Sequence, residues 1–277
     1  MARRRRRIAA ALLLPVLLWF CWFENSCIVS ETYELTLPAL SAAFDGLRIA
    51  LVTDTQGKIF GRDNARLISA VEAARPDLIA VCGDMIEDAS DIPACAALLG
   101  NLTAAAPVYY VTGNHEWASG AARDLMDALE EVGVTVLGND YRVLERGGEK
   151  LVIAGVHDPN GPYDMERPEQ LVARIRESEP DAPIIMLAHR NDALDSWAAL
   201  GVDLVLCGHG HGGVIRLPGI GGLLGVDRSF FPAYSAGLYD KGGTCMAVSR
   251  GLGPAGGLPR LFNRPDVPII VLRAGKA

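Results

Sequence analysis

Leu206-Cys207-Gly208-His209-Gly210-His211-Gly212-Gly213 places two imidazoles one residue apart among glycines. It follows Gly201-Val202-Asp203-Leu204-Val205-Leu206, an apolar run of strand length, so the histidines sit in a turn at a strand's C-terminal end. The glycines let the main chain bend tightly and clear the space around a bound ion. Two histidines so arranged suit two neighbouring metals better than chelation of one. The weight of the pair depends on ligand-type residues leaving other strands in the same way.

Four other strands do so. Gly46-Leu47-Arg48-Ile49-Ala50-Leu51-Val52 ends in Thr53-Asp54-Thr55-Gln56-Gly57, and Asp77-Leu78-Ile79-Ala80-Val81-Cys82 runs into Gly83-Asp84. Pro107 to Val111 ends in Thr112-Gly113-Asn114-His115-Glu116, and Ala182-Pro183-Ile184-Ile185-Met186-Leu187 leads into Ala188-His189-Arg190. Helical spacing is read over Arg62 to Arg75, where Pro76 stops it, and over Asp91 to Ala104, Ala121 to Val132 and Arg167 to Glu177. Asn191 is expected to cap a further helix that runs to about Leu200. Val134 to Leu137, Tyr141 to Leu144 and Leu151 to Val156 are closely spaced strands, and short strands with glycine turns follow His211 through Val271. Alternating strands and helices with strands clustered at the end imply a mixed α/β sandwich with helices outside. Ligands of such sheets bind beyond the carboxyl ends of the strands, where the polar residues above converge. Oxygen and imidazole donors without thiolate suit Mn²⁺, Fe²⁺, Zn²⁺ or Mg²⁺.

With 277 residues, half of them hydrophobic, the chain can bury a full core in one domain with an appendage. Its formal net charge of −7 includes five arginines confined to Arg3–Arg7, so the globular part is more acidic still. That argues against nucleic acid as a partner. None of the six cysteines has zinc-knuckle or disulfide-framework spacing, and Cys82 and Cys207 end apolar runs as small buried hydrophobes do. Arg3–Arg7 precede the uncharged run Ile8 to Phe23, with no small-x-small cleavage site after it. The pattern predicts an uncleaved signal anchor over residues 1–28 and an extended lead-in over 29–45, with the globular domain in 46–277. Basic residues stay inside, so a single-pass anchor in the cell membrane would leave that domain extracytoplasmic.

The ordered set Asp54-Thr55-Gln56, Gly83-Asp84, Gly113-Asn114-His115-Glu116, His189 and Gly208-His209-Gly210-His211 resembles the calcineurin-like metallophosphoesterases. Gly212-Gly213, Arg216-Leu217-Pro218, Gly237-Leu238-Tyr239, Ser249-Arg250-Gly251-Leu252-Gly253 and Phe262-Asn263-Arg264-Pro265 are similar to its YkuE-like bacterial membrane-associated branch. The resemblance implies a four-layer αββα sandwich behind the N-terminal anchor helix, holding two divalent ions, Mn²⁺ favoured. It implies Asp54, Gln56, Asp84 and His211 around one ion, and Asp84, Asn114, His189 and His209 around the other, with Asp84 bridging. A hydroxide shared by the ions would hydrolyse a phosphomonoester or a phosphodiester/pyrophosphate, from a small-molecule or lipid substrate of the envelope. His115 is assigned transition-state stabilisation or leaving-group protonation, with Glu116 as partner of its imidazole. Gln56 stands where the family has histidine, and an amide oxygen is the weaker donor. That keeps a competing reading in view, a metal-depleted relative that binds a phosphorylated envelope ligand without cleaving it.

His157-Asp158 reads as a loop pair, while Arg190 and Arg216 flank the metal motifs as candidates for a second phosphate. Phe230-Phe231 reads as core packing.

Overall fold

A computed structural model describes residues 2–162, 165–254 and 258–275, with side chains described from residue 13 onward. In chain order the elements are α1 (Ala2–Ser26), β1 (Thr32–Leu37), β2 (Arg48–Val52), α2 (Ala65–Ala73), β3 (Leu78–Cys82), α3 (Ile92–Leu102) and β4 (Val108–Val111). There follow α4 (Asn114–Ala118), α5 (Ala122–Glu131), β5 (Thr135–Val136), β6 (Asp140–Arg146), β7 (Glu149–Gly155), α6 (Pro168–Ser178) and β8 (Ile184–Leu187). Then come α7 (Leu194–Leu200), β9 (Leu204–Cys207), β10 (Arg216–Leu217), β11 (Gly221–Gly222), β12 (Gly237–Lys241), β13 (Thr244–Val248) and β14 (Ile269–Ala274).

Two six-stranded sheets carry the fold, in the orders β1-β14-β2-β3-β4-β5 and β12-β13-β9-β8-β7-β6. β2, β3, β4 and β5 run parallel, as do β7, β8, β9 and β13, so each sheet sends its parallel strand ends one way. Strand side chains alternate between two buried surfaces. Ile49, Leu51, Leu78 and Ala80 of one sheet meet Ile153, Ile185, Leu204 and Leu206 of the other. Ala50, Val52, Ile79 and Val81 face outward against Leu67 and Val71 of α2, Leu98 and Leu99 of α3 and Leu125 and Leu129 of α5. Val152, Ile184, Met186 and Val205 likewise lie against Leu171 and Ile175 of α6 and Leu194 and Trp197 of α7. The layers are therefore αββα. Because the strands are covered on both faces they read as continuous apolar runs, which is why each was visible in the sequence.

Residues 32–37 of the lead-in pair in parallel with β14 and form one edge of the first sheet. Asn191 does not cap α7: Ala193 precedes that helix, and the Asn191 amide instead donates to the Tyr234 carbonyl. Phe230 and Phe231, expected in the core, are exposed.

The N-terminal expectation needs correction. Residues 2–26 are helical, yet among the described residues no helix is long and apolar enough to cross a membrane. Of the uncharged run Ile8 to Phe23, the side chains of residues 8–12 lie outside the described ones. The end of α1 docks on the sandwich: Arg260 N–H donates to Asn25 Oδ1 at 2.9 Å, and Asn263 N–H to Glu24 Oε2 at 3.0 Å.

Candidate metal centre

The sequence-nominated residues gather at the carboxyl ends of β2, β3, β4, β8 and β9, where the two sheets meet. Several turns there are strained. Asp54, Gln56, Asp84, His209 and His211 all have positive φ, between 44° and 63°. L-residues adopt this left-handed region at a cost of about 1–3 kcal/mol each, and such residues cluster at functional sites. The flanking glycines have a steric reason. A Cβ on Gly113 would stand 2.2 Å from Asp84 Oδ1, and one on Gly208 would stand 2.3 Å from Asp54 Oδ2.

Asp84 is central and 1% exposed. His189 Nε2 lies 3.2 Å from Asp84 Oδ2, 3.0 Å from Asn114 Oδ1 and 3.1 Å from His209 Nδ1. Ligand atoms bound at about 2.1 Å around one divalent ion stand roughly 3.0–3.3 Å from one another, so these spacings match the edges of a coordination shell. Asp84, His189 and His209 have ligand atoms within 4.8 Å of one another, a grouping that can hold a metal ion. His189 Nδ1 donates to the Cys82 carbonyl at 2.8 Å, which turns the Nε2 lone pair toward the cluster. The residues fit a divalent cation.

The second flank comprises Asp54, Gln56 and His211. His211 Nε2 lies 3.7 Å from Asp54 Oδ1 and 3.2 Å from the Gln56 amide nitrogen. The side-chain amide can present either its oxygen or its nitrogen in this position. Asp54 is fully buried, and both its oxygens accept the His209 N–H at 3.1 Å.

The charges respond to this crowding. Burial pulls the His189 imidazole down, but Asp84 outweighs it and lifts the group to about 10. Burial likewise pushes Asp84 up, yet His189 holds its carboxyl at about 2. Asp84 and His189 therefore shift each other in opposite directions, as close opposite charges do. Asp54 is driven up to about 7 by burial, with His189 opposing and Asp84 adding. His209 is pulled down to about 4 by burial and then by the His189 charge, so it stays neutral and able to ligate near pH 7.

Glu116 does not partner His115. Its buried carboxylate accepts the N–H groups of Asp84 (2.9 Å), Met85 (2.6 Å) and Gly113 (2.7 Å), tying the β3 and β4 turns together. That leaves no role for it at the imidazole. The partner of His115 is Glu87, whose Oε2 lies 3.0 Å from Nδ1, while Nε2 lies 3.8 Å from Asp84 Oδ2. Glu87 carried no motif signal beyond standing three residues after Asp84.

His157 Nδ1 accepts from Thr112 Oγ1 at 3.0 Å and steadies the chain just before Asn114. Asp158 is buried and holds Arg190 at 2.7 Å. Arg216 donates to the Gly212 carbonyl at 2.9 Å. The centre opens into a cleft of about 730 Å³ lined by Gln56, Asp84, Glu87, Asn114, His115 and His211, with Leu224, Val226 and Leu258 on its rim.

The calcineurin-like phosphoesterase family model matches residues 47–213. The metallophosphoesterase YkuE of Bacillus subtilis is 28% identical over 255 residues, covering 88% of this chain and 86% of YkuE. The phosphodiesterase YaeI of Escherichia coli is 30% identical over 206 residues, covering 72% of this chain and 71% of YaeI. A metallophosphoesterase of Caenorhabditis elegans is 33% identical over 181 residues, 60% of this chain, and the chain spans 36% of that protein's length.

Proposed function

The chain belongs to the calcineurin-like phosphoesterase family, in its YkuE-like branch, and hydrolyses phosphoric esters; on that premise we propose a two-metal phosphomonoesterase or phosphodiesterase acting on an envelope-derived substrate. The observation that carries this reading is the meeting of Asp84, Asn114, His189 and His209 at coordination-shell spacing. Asp84, Asn114, His189 and His209 would hold one ion, and Asp54, Gln56, Asp84 and His211 the other, with Mn²⁺ favoured by the oxygen-rich set. Divalent ions bound there supply Lewis acidity toward phosphoryl oxygens and lower the pKa of water from 15.7 toward about 7.

The chain's own groups do the rest. Glu87 Oε2 accepts the hydrogen bond of His115 Nδ1–H and turns Nε2 toward Asp84 and the cleft. Protonated at Nε2, the imidazole can deliver that proton to the leaving oxygen. Glu116 keeps the Asp84 and Gly113 turns in register, so Asp84 and Asn114 stay aimed at one point.

The apolar rim of Leu224, Val226 and Leu258 supports a substrate with an apolar or lipid part. Exposed Leu13, Leu14, Val16, Leu17, Leu18, Trp19 and Trp22 on α1, with Arg3–Arg7 before them, support a domain held at a membrane surface by its N-terminus. Hydrolysis of p-nitrophenyl phosphate and bis-p-nitrophenyl phosphate with added Mn²⁺ tests the chemistry. His209→Ala is expected to lower kcat by roughly 10²-fold or more. Activity unchanged in that variant would refute the proposal.

A further inference from the structure

Arg260 heads the largest fully enclosed side chains of the described residues. Its Nε and Nη1 donate to main-chain carbonyls, those of Gly253 (2.8 Å), Arg250 (2.9 Å) and Asn263 (3.3 Å). No carboxylate pairs with it among the described residues, and the neighbouring 255–257 are alanine and glycines. A buried cation in that state is rare. Its remaining Nη2 lies 3.4 Å from His211 Nδ1. Burial works against its charge; of the carboxylates whose fields favour it, Asp54 acts most and Asp266 less, while Arg250 opposes them.

Arg260 cannot swing away. Asn25 brackets its main chain, donating to its carbonyl at 3.2 Å and accepting its N–H at 2.9 Å. Asn263 of the same loop donates to the His211 and Val214 carbonyls, each at 2.8 Å, while Glu24 accepts the Asn263 N–H. The end of α1 therefore fixes a positive charge behind one metal-facing histidine.

We propose that Arg260 weakens the Asp54–Gln56–His211 flank for metal, so that the two divalent ions bind with unequal affinity, the first on the Asn114–His189–His209 flank. This rests on the dimetal reading above and adds the order and inequality of loading. Two physical effects combine. His211 points Nε2 at Asp54 and Gln56, so ligation through Nε2 requires the ring proton on Nδ1. That proton would face a guanidinium N–H, and two donors cannot satisfy each other. The tautomer that accepts from Arg260 carries its proton on Nε2 and cannot ligate. Moreover, the fixed guanidinium charge already draws on Asp54, the carboxylate a second cation needs. His189 is the contrast, since a carbonyl accepts its Nδ1 proton.

The test is a calorimetric Mn²⁺ titration of the chelator-stripped full chain, with metal content measured in parallel. Wild type is expected to bind two ions with dissociation constants at least about tenfold apart. His211→Ala is expected to lose the weaker ion and keep the tighter one. Arg260→Met is expected to tighten the weaker ion about tenfold or more and leave the tighter nearly unchanged, while Arg260→Lys keeps the gap. Two equally tight ions in wild type would overturn the proposal while leaving the dimetal reading intact. Loss of the tighter ion in His211→Ala, or an unchanged gap in a folded Arg260→Met, would also overturn it. If Arg260→Met does not fold, the wild-type and His211→Ala titrations decide. Binding of no ion at all would overturn the dimetal reading and this proposal together.

Discussion

The two flanks of Asp84 use the same residue types and are backed by opposite chemistry. On the His189 side, a main-chain carbonyl accepts the far ring proton at 2.8 Å and Asn114 Oδ1 stands 3.0 Å from Nε2. On the His211 side, a guanidinium stands 3.4 Å behind the ring and an amide lies 3.2 Å in front of it. Having the motif residues does not make the sites alike. What faces the second nitrogen of each imidazole decides which lone pair is free.

Removing the carboxylate that aligns the stronger flank is the most drastic way to break this contrast. Glu116→Ala leaves three buried N–H groups without an acceptor and is expected to cost about 3–5 kcal/mol of stability. Denaturant unfolding checks it, and a loss below about 1 kcal/mol would show that the two turns hold themselves together. Gln56→His sharpens the contrast from the other side. It adds an imidazole to the weak flank and is expected to tighten the second ion roughly tenfold in a metal titration. An unchanged constant would mean that Gln56 does not face the ion.

A third effect, on stability and confined to low pH, concerns the support of the Asn114 turn. Burial holds His157 down to about 4 from an ordinary 6.5. The unfolded chain therefore takes up a proton near pH 6.5 that the folded chain refuses until about pH 4. Stability from this group is full above pH 6.5 and is lost as pH falls through that window, by roughly 1–3 kcal/mol. Unfolding midpoints of wild type and His157→Gln between pH 7 and 4.5 check the sign. The variant is expected to show the shallower slope, and identical slopes would remove His157 from the account.

The layer order and the gathering of polar residues at the strand ends were legible because strands covered on both faces are continuous apolar runs whose ends are marked by glycine. Asp84, Asn114, His189, His209 and His211 stand where that pattern placed them. Glu116 was misread because adjacency to His115 suggested a pair, whereas its position at the third residue of the α4 turn directs it back onto main-chain N–H groups. Glu87 and Arg260 left no trace in periodicity. Their roles arise from contacts across the fold, as with Arg260 and His211, 49 residues apart. Asn263 had a signal in Phe262-Asn263-Arg264-Pro265, although the spacing could not show that it would clasp the His211 turn. The spanning anchor was inferred from an uncharged run, and hydropathy alone could not foresee that Glu24 and Asn25 would be tied into the catalytic domain.

The metal content of wild type and Asp84→Asn, purified without chelator and read by plasma mass spectrometry, tests the centre most directly. Wild type is expected to carry at least one divalent ion per chain, and the variant, folded by its melting curve, close to none. A folded Asp84→Asn protein that keeps the full wild-type complement would show that the ions are held elsewhere.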